Sequence, residues 1–365
     1  MYANSLTRNL LKTSKRSYTS ATHILNPGIS RTQSVSVCPG EGVGPQIVDS
    51  VLEIFEHLNV PLNVKMVEYA SLKRGKANSS LRENKNLLLG PISNKMFEER
   101  DKGVCHQQIL KELDIFASVL NAISIPGVDI QGKDIDTLII KQACDGFGVE
   151  CKKARQEKYK KLAQYALNNA LMSSRGKIHA FHNANMDNPH HEDFLIEMRK
   201  MAERNSGIGY EELYLADGAI ELIKHMEDFE LIVTPSNCGL GTASIAMSIV
   251  GGHQLVPSIH IGDEYSIFEQ GGNKPEEDKV KDNSANPTGL ILSATMMLRQ
   301  ANLPCYSDLI ERAIFATYED SEVRTPDLGG NYSTQEFTNK VMSNIETKST
   351  FRAGQVQEEK LAIEF

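Results

Sequence analysis

The chain has 365 residues, 40% of them hydrophobic and 24% charged, with 26 glycines and 13 prolines. This is the length and composition of a globular protein that buries a sizeable core and has room for two domains. No apolar run approaches the roughly 18 residues that a membrane-spanning helix needs, and a net charge of −8 argues against nucleic-acid binding through phosphate neutralisation.

The first stretch, "MYANSLTRNLLKTSKRSYTSATHIL", carries Arg8, Lys12, Lys15 and Arg16 amid Ser and Thr, and no Asp or Glu occurs before Glu41. That is the composition of a mitochondrial transit peptide, assigned to residues 1–26. Its removal leaves 35 of the 39 basic residues against 47 acidic ones, a net charge of −12. Next, "SVSVCPG" (34–40) reads as a strand ending in a glycine turn, and "PQIVDSVLEIFEHL" (45–58) as an amphipathic helix with Pro45 at its first position. The turn "GEGVG" has the spacing G-x-G-x-G, a weak phosphate signal for which a tight turn is the commoner explanation. Buried strands are expected at 136–141, 176–182, 212–217 and 229–235, and helices at 158–172, 191–203, 286–303 and 306–320. Strands alternating with helices predict an α/β fold with a partly parallel sheet. Residues 271–287 form a charged loop of the kind that covers a site or interface, and the tail beyond Asn344 lacks a clear apolar period.

The six cysteines, Cys38, Cys105, Cys144, Cys151, Cys238 and Cys305, show no zinc-ligand spacing and read as reduced thiols. His190 and His191 beside Asp187, Glu192 and Asp193 read as a solvated turn rather than a metal cluster.

Several strings then come together in order: "PGEGVGPQI", "DIFASV" (114–119), "ANM" (184–186), "FELIVTP" (229–235), "NSANPTGLILSATMMLR" (283–299) and "DLGGNYSTQEFTN" (327–339). Over roughly Val35 to Asn344 they resemble the β-decarboxylating dehydrogenases, most closely the subunits of mitochondrial NAD-dependent isocitrate dehydrogenase. The resemblance implies a two-domain α/β fold of the isocitrate/isopropylmalate dehydrogenase type. Residues 27–113 and 256–345 would form a large domain, 114–255 a smaller dimerisation domain, and 346–365 a tail. Active members oxidise isocitrate with NAD and decarboxylate it. That chemistry uses a divalent metal, cationic groups on the substrate carboxylates and a Lys/Tyr pair for proton transfer.

Matched residue by residue, the resemblance implies degenerate positions at all four parts of that machinery. Of three metal carboxylates only Asp217 remains, reading as a strand-end residue, while Leu240 and Ser244 stand at the other two. The substrate arginines are matched by Leu110, Leu120 and Lys141, and lysine lacks the two-point grip of a guanidinium. The proton-transfer lysine position is Asn183, whose amide cannot act as an acid or base near neutral pH. Phe147 is the nearest aromatic to the tyrosine position. In the cofactor loop Asn273 and Lys274 replace His-Gly, and Glu276 and Glu277 oppose a pyrophosphate. Asp278 and Asn286 match, although Asn286 also suits a helix start.

These positions lead to the expectation of a non-catalytic mitochondrial protein, in the matrix or on the matrix side of the inner membrane. It would bind no cofactor, with NAD or an adenine nucleotide and Mg as the lesser alternative. The first reading is a structural subunit of a respiratory complex, ATP synthase or ribosome, paired as a homo- or heterodimer with an isocitrate dehydrogenase-like subunit. The alternative is a regulatory subunit of NAD-dependent isocitrate dehydrogenase in the tricarboxylic acid cycle, and an active dehydrogenase ranks third.

Overall fold

A computed structural model describes residues 33–68, 84–92, 106–130, 134–143, 152–183, 189–272 and 283–345. The transit-peptide expectation, the tail 346–365, Phe147 and the loop positions 273–278 lie outside the described residues.

β1 (Gln33–Cys38) ends in the glycine turn and feeds α1 (Gly44–His57). The turn is built for close approach: Gly40 has φ +77°, and a Cβ there would sit 2.3 Å from the Pro91 carbonyl oxygen. Glu41 N–H donates to that same carbonyl at 2.7 Å. Pro45 opens α1, and Ile47, Val48, Val51, Ile54 and Phe55 form its buried face.

β2 (Leu62–Met66), β3 (Asn86–Leu89), α2 (His106–Glu112), β4 (Ile115–Ile123) and β5 (Asp136–Gln142) follow. α3 (Lys152–Met172), β6 (Lys177–His182), α4 (Pro189–Glu203), β7 (Gly209–Tyr214), α5 (Leu215–His225), β8 (Leu231–Thr234) and α6 (Ser236–Ile249) complete the middle of the chain. The last part contains β9 (Pro257–Gly262), β10 (Ser266–Gln270), α7 (Thr288–Gln300), α8 (Pro304–Asp320) and α9 (334–345).

Among the described residues ten strands form one sheet, in the order β2-β1-β3-β10-β9-β4-β5-β8-β6-β7. Its two arms are parallel, and the central pairings β10/β9, β9/β4 and β4/β5 are antiparallel. One face carries a large apolar cluster drawn from α1, α3, α4, α7, α8 and α9, while α2, α5 and α6 contribute to two smaller clusters on the other. α7 is buried from Thr288 through Arg299. Its single cation is paired with Glu311 and, at 2.7 Å, with Asp308.

Two expectations need correction. The strand expected at 212–217 runs instead from Gly209 to Tyr214, and Leu215 begins a helix. Asp217 therefore stands in the first turn of α5, where a carboxylate complements the helix dipole. Gly218 lets that helix approach β6, since a Cβ there would lie 2.8 Å from the Phe181 ring. The solvated turn at 187–193 is also overturned in part: Pro189 starts α4, and His191 and Asp193 are buried. Asp193 accepts from Arg155 Nε at 3.0 Å and from Gln156 Nε2 at 3.2 Å, which ties α4 to α3.

Candidate functional site

Among the described residues, the core on one face of the sheet is divided. One apolar group gathers Cys38, Leu87, Leu89, Leu110 and Ile267, and the other gathers Leu120, Ile139, Phe181, Ile232 and Leu222. Along β4, Ser118 stands between Ile115 of the first group and Leu120 of the second, after a bulge between Ile115 and Ala117 has reset the alternation of side chains.

Polar side chains meet at that division. Ser118 lies opposite His260 on β9 and opposite Lys141 on β5. Glu269 on β10 is the diagonal neighbour of His260, whose direct partner is Ile267. The His260 Nε2 atom is 2.6 Å from Glu269 Oε1, and His106 Nε2, from the start of α2, is 2.9 Å from Glu269 Oε2. His260 Nδ1 is 2.7 Å from Ser118 Oγ, and the two imidazoles meet edge to face at 5.2 Å. All four groups are buried.

Burial alone would raise the Glu269 carboxyl, but the two imidazoles beside it hold it well below the usual carboxylate range. Burial pushes the His260 imidazole down, against the pull of Glu269.

The positions singled out in the sequence are distributed around this cluster. Leu110 and Leu120 are buried in the two separate apolar groups, so the structure does not bring these two together. Lys141, half-buried, lays its aliphatic stem against α6 at Gly239, where an added Cβ would lie 2.6 Å from the lysine Cβ. Asn183 follows β6 directly, and its backbone N–H donates to His191 Nδ1 at 3.1 Å. With Nδ1 accepting, the neutral imidazole carries its hydrogen on Nε2. That atom is 2.9 Å from Asn237 Nδ2, and since two N–H groups cannot pair, the amide is assigned in its flipped orientation with the oxygen accepting. His182 packs against Tyr214 with ring centroids 4.7 Å apart.

The cation position implied by the family offers a single carboxylate. Asp217, Leu240 and Ser244 are exposed, on α5 and α6. One carboxylate, one alkyl group and one hydroxyl do not fit a divalent magnesium site, which uses two or more carboxylate or phosphate oxygens. The Asn286 amide is committed internally. Its Oδ1 accepts from Thr288 N–H at 3.0 Å, and its Nδ2 donates to Tyr318 Oη at 3.2 Å and to Asp327 Oδ2 at 3.1 Å. It helps start α7.

Sequence reasoning missed His106, His260, Glu269 and Ser118. The signal was present as a His inside the apolar run "PSIHIG" and a Glu inside "SIFEQ". Such residues in a buried strand require partners.

A ten-stranded mixed sheet with helices on both faces defines a protein of the α/β class. The profile of the isocitrate/isopropylmalate dehydrogenase family matches residues 34–341. Regulatory subunit 3 of the mitochondrial NAD isocitrate dehydrogenase of Arabidopsis thaliana is 31% identical over 347 residues, covering 90% of this chain and 93% of its own. The beta subunit of the human mitochondrial NAD enzyme is 29% identical over 335 residues, covering 87% of each. The crystal structure of isocitrate dehydrogenase from Methylococcus capsulatus superposes with a TM-score of 0.78 at 22% identity, covering 86% of this chain and 99% of that one. The chain belongs to the isocitrate/isopropylmalate dehydrogenase family.

Proposed function

We propose that the chain is a non-catalytic, regulatory subunit of a mitochondrial NAD-dependent isocitrate dehydrogenase, working in the matrix beside a catalytic subunit of the same family. The observation that carries this reading is the side-chain chemistry at the family's working positions. Leu110 and Leu120 are buried in apolar groups, Asn183 stands at the proton-transfer position, and Leu240 and Ser244 stand where carboxylates would hold the metal. The names of its relatives, regulatory subunits in Arabidopsis thaliana and Dictyostelium discoideum and beta subunits in mammals, favour this reading over a structural subunit of a respiratory complex, ATP synthase or ribosome.

A docking face suits that role. Ile220 and Ile223 on α5 and Leu240 on α6 are 50%, 60% and 67% exposed. Beside them a groove of ≈ 540 Å³ is lined by Ile223, Ile245, Ile249 and Ile130 with Ser244 and Ser248. Large apolar side chains grouped on a surface mark an interaction site, and the partner that fits is a second family subunit presenting the equivalent helix pair.

Affinity purification of the tagged chain from mitochondria tests the reading. Stoichiometric recovery of isocitrate dehydrogenase subunits, in a fraction that reduces NAD with isocitrate, is the expected result. The chain purified alone should show no such activity. Recovery with respiratory, ATP-synthase or ribosomal subunits and no isocitrate-dependent NAD reduction would overturn it.

A further inference from the structure

We propose that His106, His260 and Glu269 form a zinc site in the body of the protein, separate from the cation position that the family assigns to Asp217, Leu240 and Ser244. Its three donors come from α2, β9 and β10, and one ligand atom from each lies within 4.8 Å of the others.

The donor chemistry selects the metal. Two imidazole nitrogens and one carboxylate oxygen are a zinc set, whereas magnesium and calcium take oxygen ligands. Zinc bonds of about 2.0–2.2 Å in tetrahedral geometry place donors roughly 3.3 Å apart. Each Nε2 faces its own oxygen of the carboxylate, at 2.6 and 2.9 Å, and the three ligand atoms lie within 4.8 Å of one another.

Zinc needs the lone pair of His260 on Nε2. The Ser118 hydroxyl at 2.7 Å from Nδ1 serves either tautomer, donating to a bare Nδ1 or accepting from Nδ1–H. When zinc replaces the hydrogen bond to Glu269, the ring proton moves to Nδ1 and its bond to Ser118 orients the ligand.

The surroundings favour a cation as well. Side-chain exposures are 10% and 4% for the two histidines and 7% for Glu269. The buried Glu269 carboxylate offsets the desolvation of a divalent ion placed beside it. Three protein ligands leave the fourth tetrahedral position for water or an anion.

The test uses the full chain, stripped by dialysis against a chelator and titrated with zinc against a chromogenic competitor. Bound metal is counted by atomic emission, and cobalt serves as the spectroscopic probe. The expected result is one zinc per chain, bound at least 100-fold more weakly after His106→Ala or His260→Ala and roughly 10-fold more weakly after Ser118→Ala. Exchange of the exposed His57 or His225 for Ala should leave it unchanged. The cobalt form should show the intense visible bands of a four-coordinate nitrogen and oxygen site. Equal zinc uptake by the native chain and the His106→Ala/His260→Ala double variant would overturn the proposal. So would a cobalt form with the weak spectrum of an octahedral, water-bound ion. Should circular dichroism show the double variant unfolded, the cobalt spectrum of the native chain and the affinity of Ser118→Ala decide the matter by the same criteria.

Discussion

His179 on β6 is buried against the Phe229 ring, 4.7 Å between centroids. Burial, helped by the charge of Lys177 and opposed by Glu211 and Glu230, pushes its imidazole down from 6.5 to about 4. The unfolded chain therefore takes up this proton near pH 6.5, while the folded chain resists it until about pH 4. The associated stability is complete above pH 6.5 and is lost as pH falls through that window. Denaturant unfolding at pH 7, 5.5 and 4.5 should show His179→Phe losing less stability on acidification than the native chain. The residual slope has another contributor in His182, which burial also pushes down. A second expectation concerns Leu120 and Lys141. Leu120 is 4% exposed among Ala122, Ile139 and Ile232, so Leu120→Arg should destabilise the fold by roughly 3 kcal/mol or more, the cost of an unpaired buried charge. Lys141→Arg, at a half-buried position that already holds a cation, should shift the unfolding midpoint far less. Equal losses for the two would refute this account of the site.

At the level of elements, α3 and α4 are joined by the Arg155–Asp193 pair, at 2.9 Å and with side chains 12% and 3% exposed. Asp193→Ala leaves Arg155 without its carboxylate and should lower stability by roughly 3 kcal/mol, measurable as a shift in urea midpoint at constant m-value. The helix that holds Asp193 was legible from its apolar spacing, but its start was not, because "NPHHED" reads as polar turn chemistry until Pro189 is seen at the first helical position. α1, α3 and α8 were legible for the same reason, since long segments with a buried stripe leave a period in the sequence, and α7, buried nearly all round, was legible by its long apolar run. α6 was not. "SNCGLGTASIAMSI" carries no charge and two glycines, and its helix is set by packing over β5, where Gly239 admits the Lys141 stem. The strands β9 and β10 were missed because each is only five or six residues long and its apolar pattern is broken by polar residues, with one ionisable interruption in each. Those interruptions, His260 and Glu269, are the residues that make the candidate site. Leu110, Leu120 and Lys141 could be singled out by matching motifs. The cluster between Leu110 and Leu120 could not, since three distant segments build it and only the sheet order brings them together.

The whole molecule joins two parallel arms through an antiparallel centre, and the candidate site is buried at that centre while Ile220, Ile223 and Leu240 on α5 and α6 are exposed. This arrangement separates assembly from any binding at the centre, so the two respond to different substitutions. Ile223 is 60% exposed and Leu240 is 67% exposed. Replacing each by Asp removes little packing within the chain and should leave the isolated protein's melting temperature within about 2 °C of the native value. A partner that binds only the folded chain raises that temperature by mass action. Adding an excess of catalytic subunit should therefore raise the melting temperature of the native chain and leave that of Ile223→Asp/Leu240→Asp unchanged. A double variant that is still stabilised by the partner would place the subunit contact elsewhere on the fold. One that melts far lower by itself would mean that these side chains already pack within the chain and cannot form its docking face.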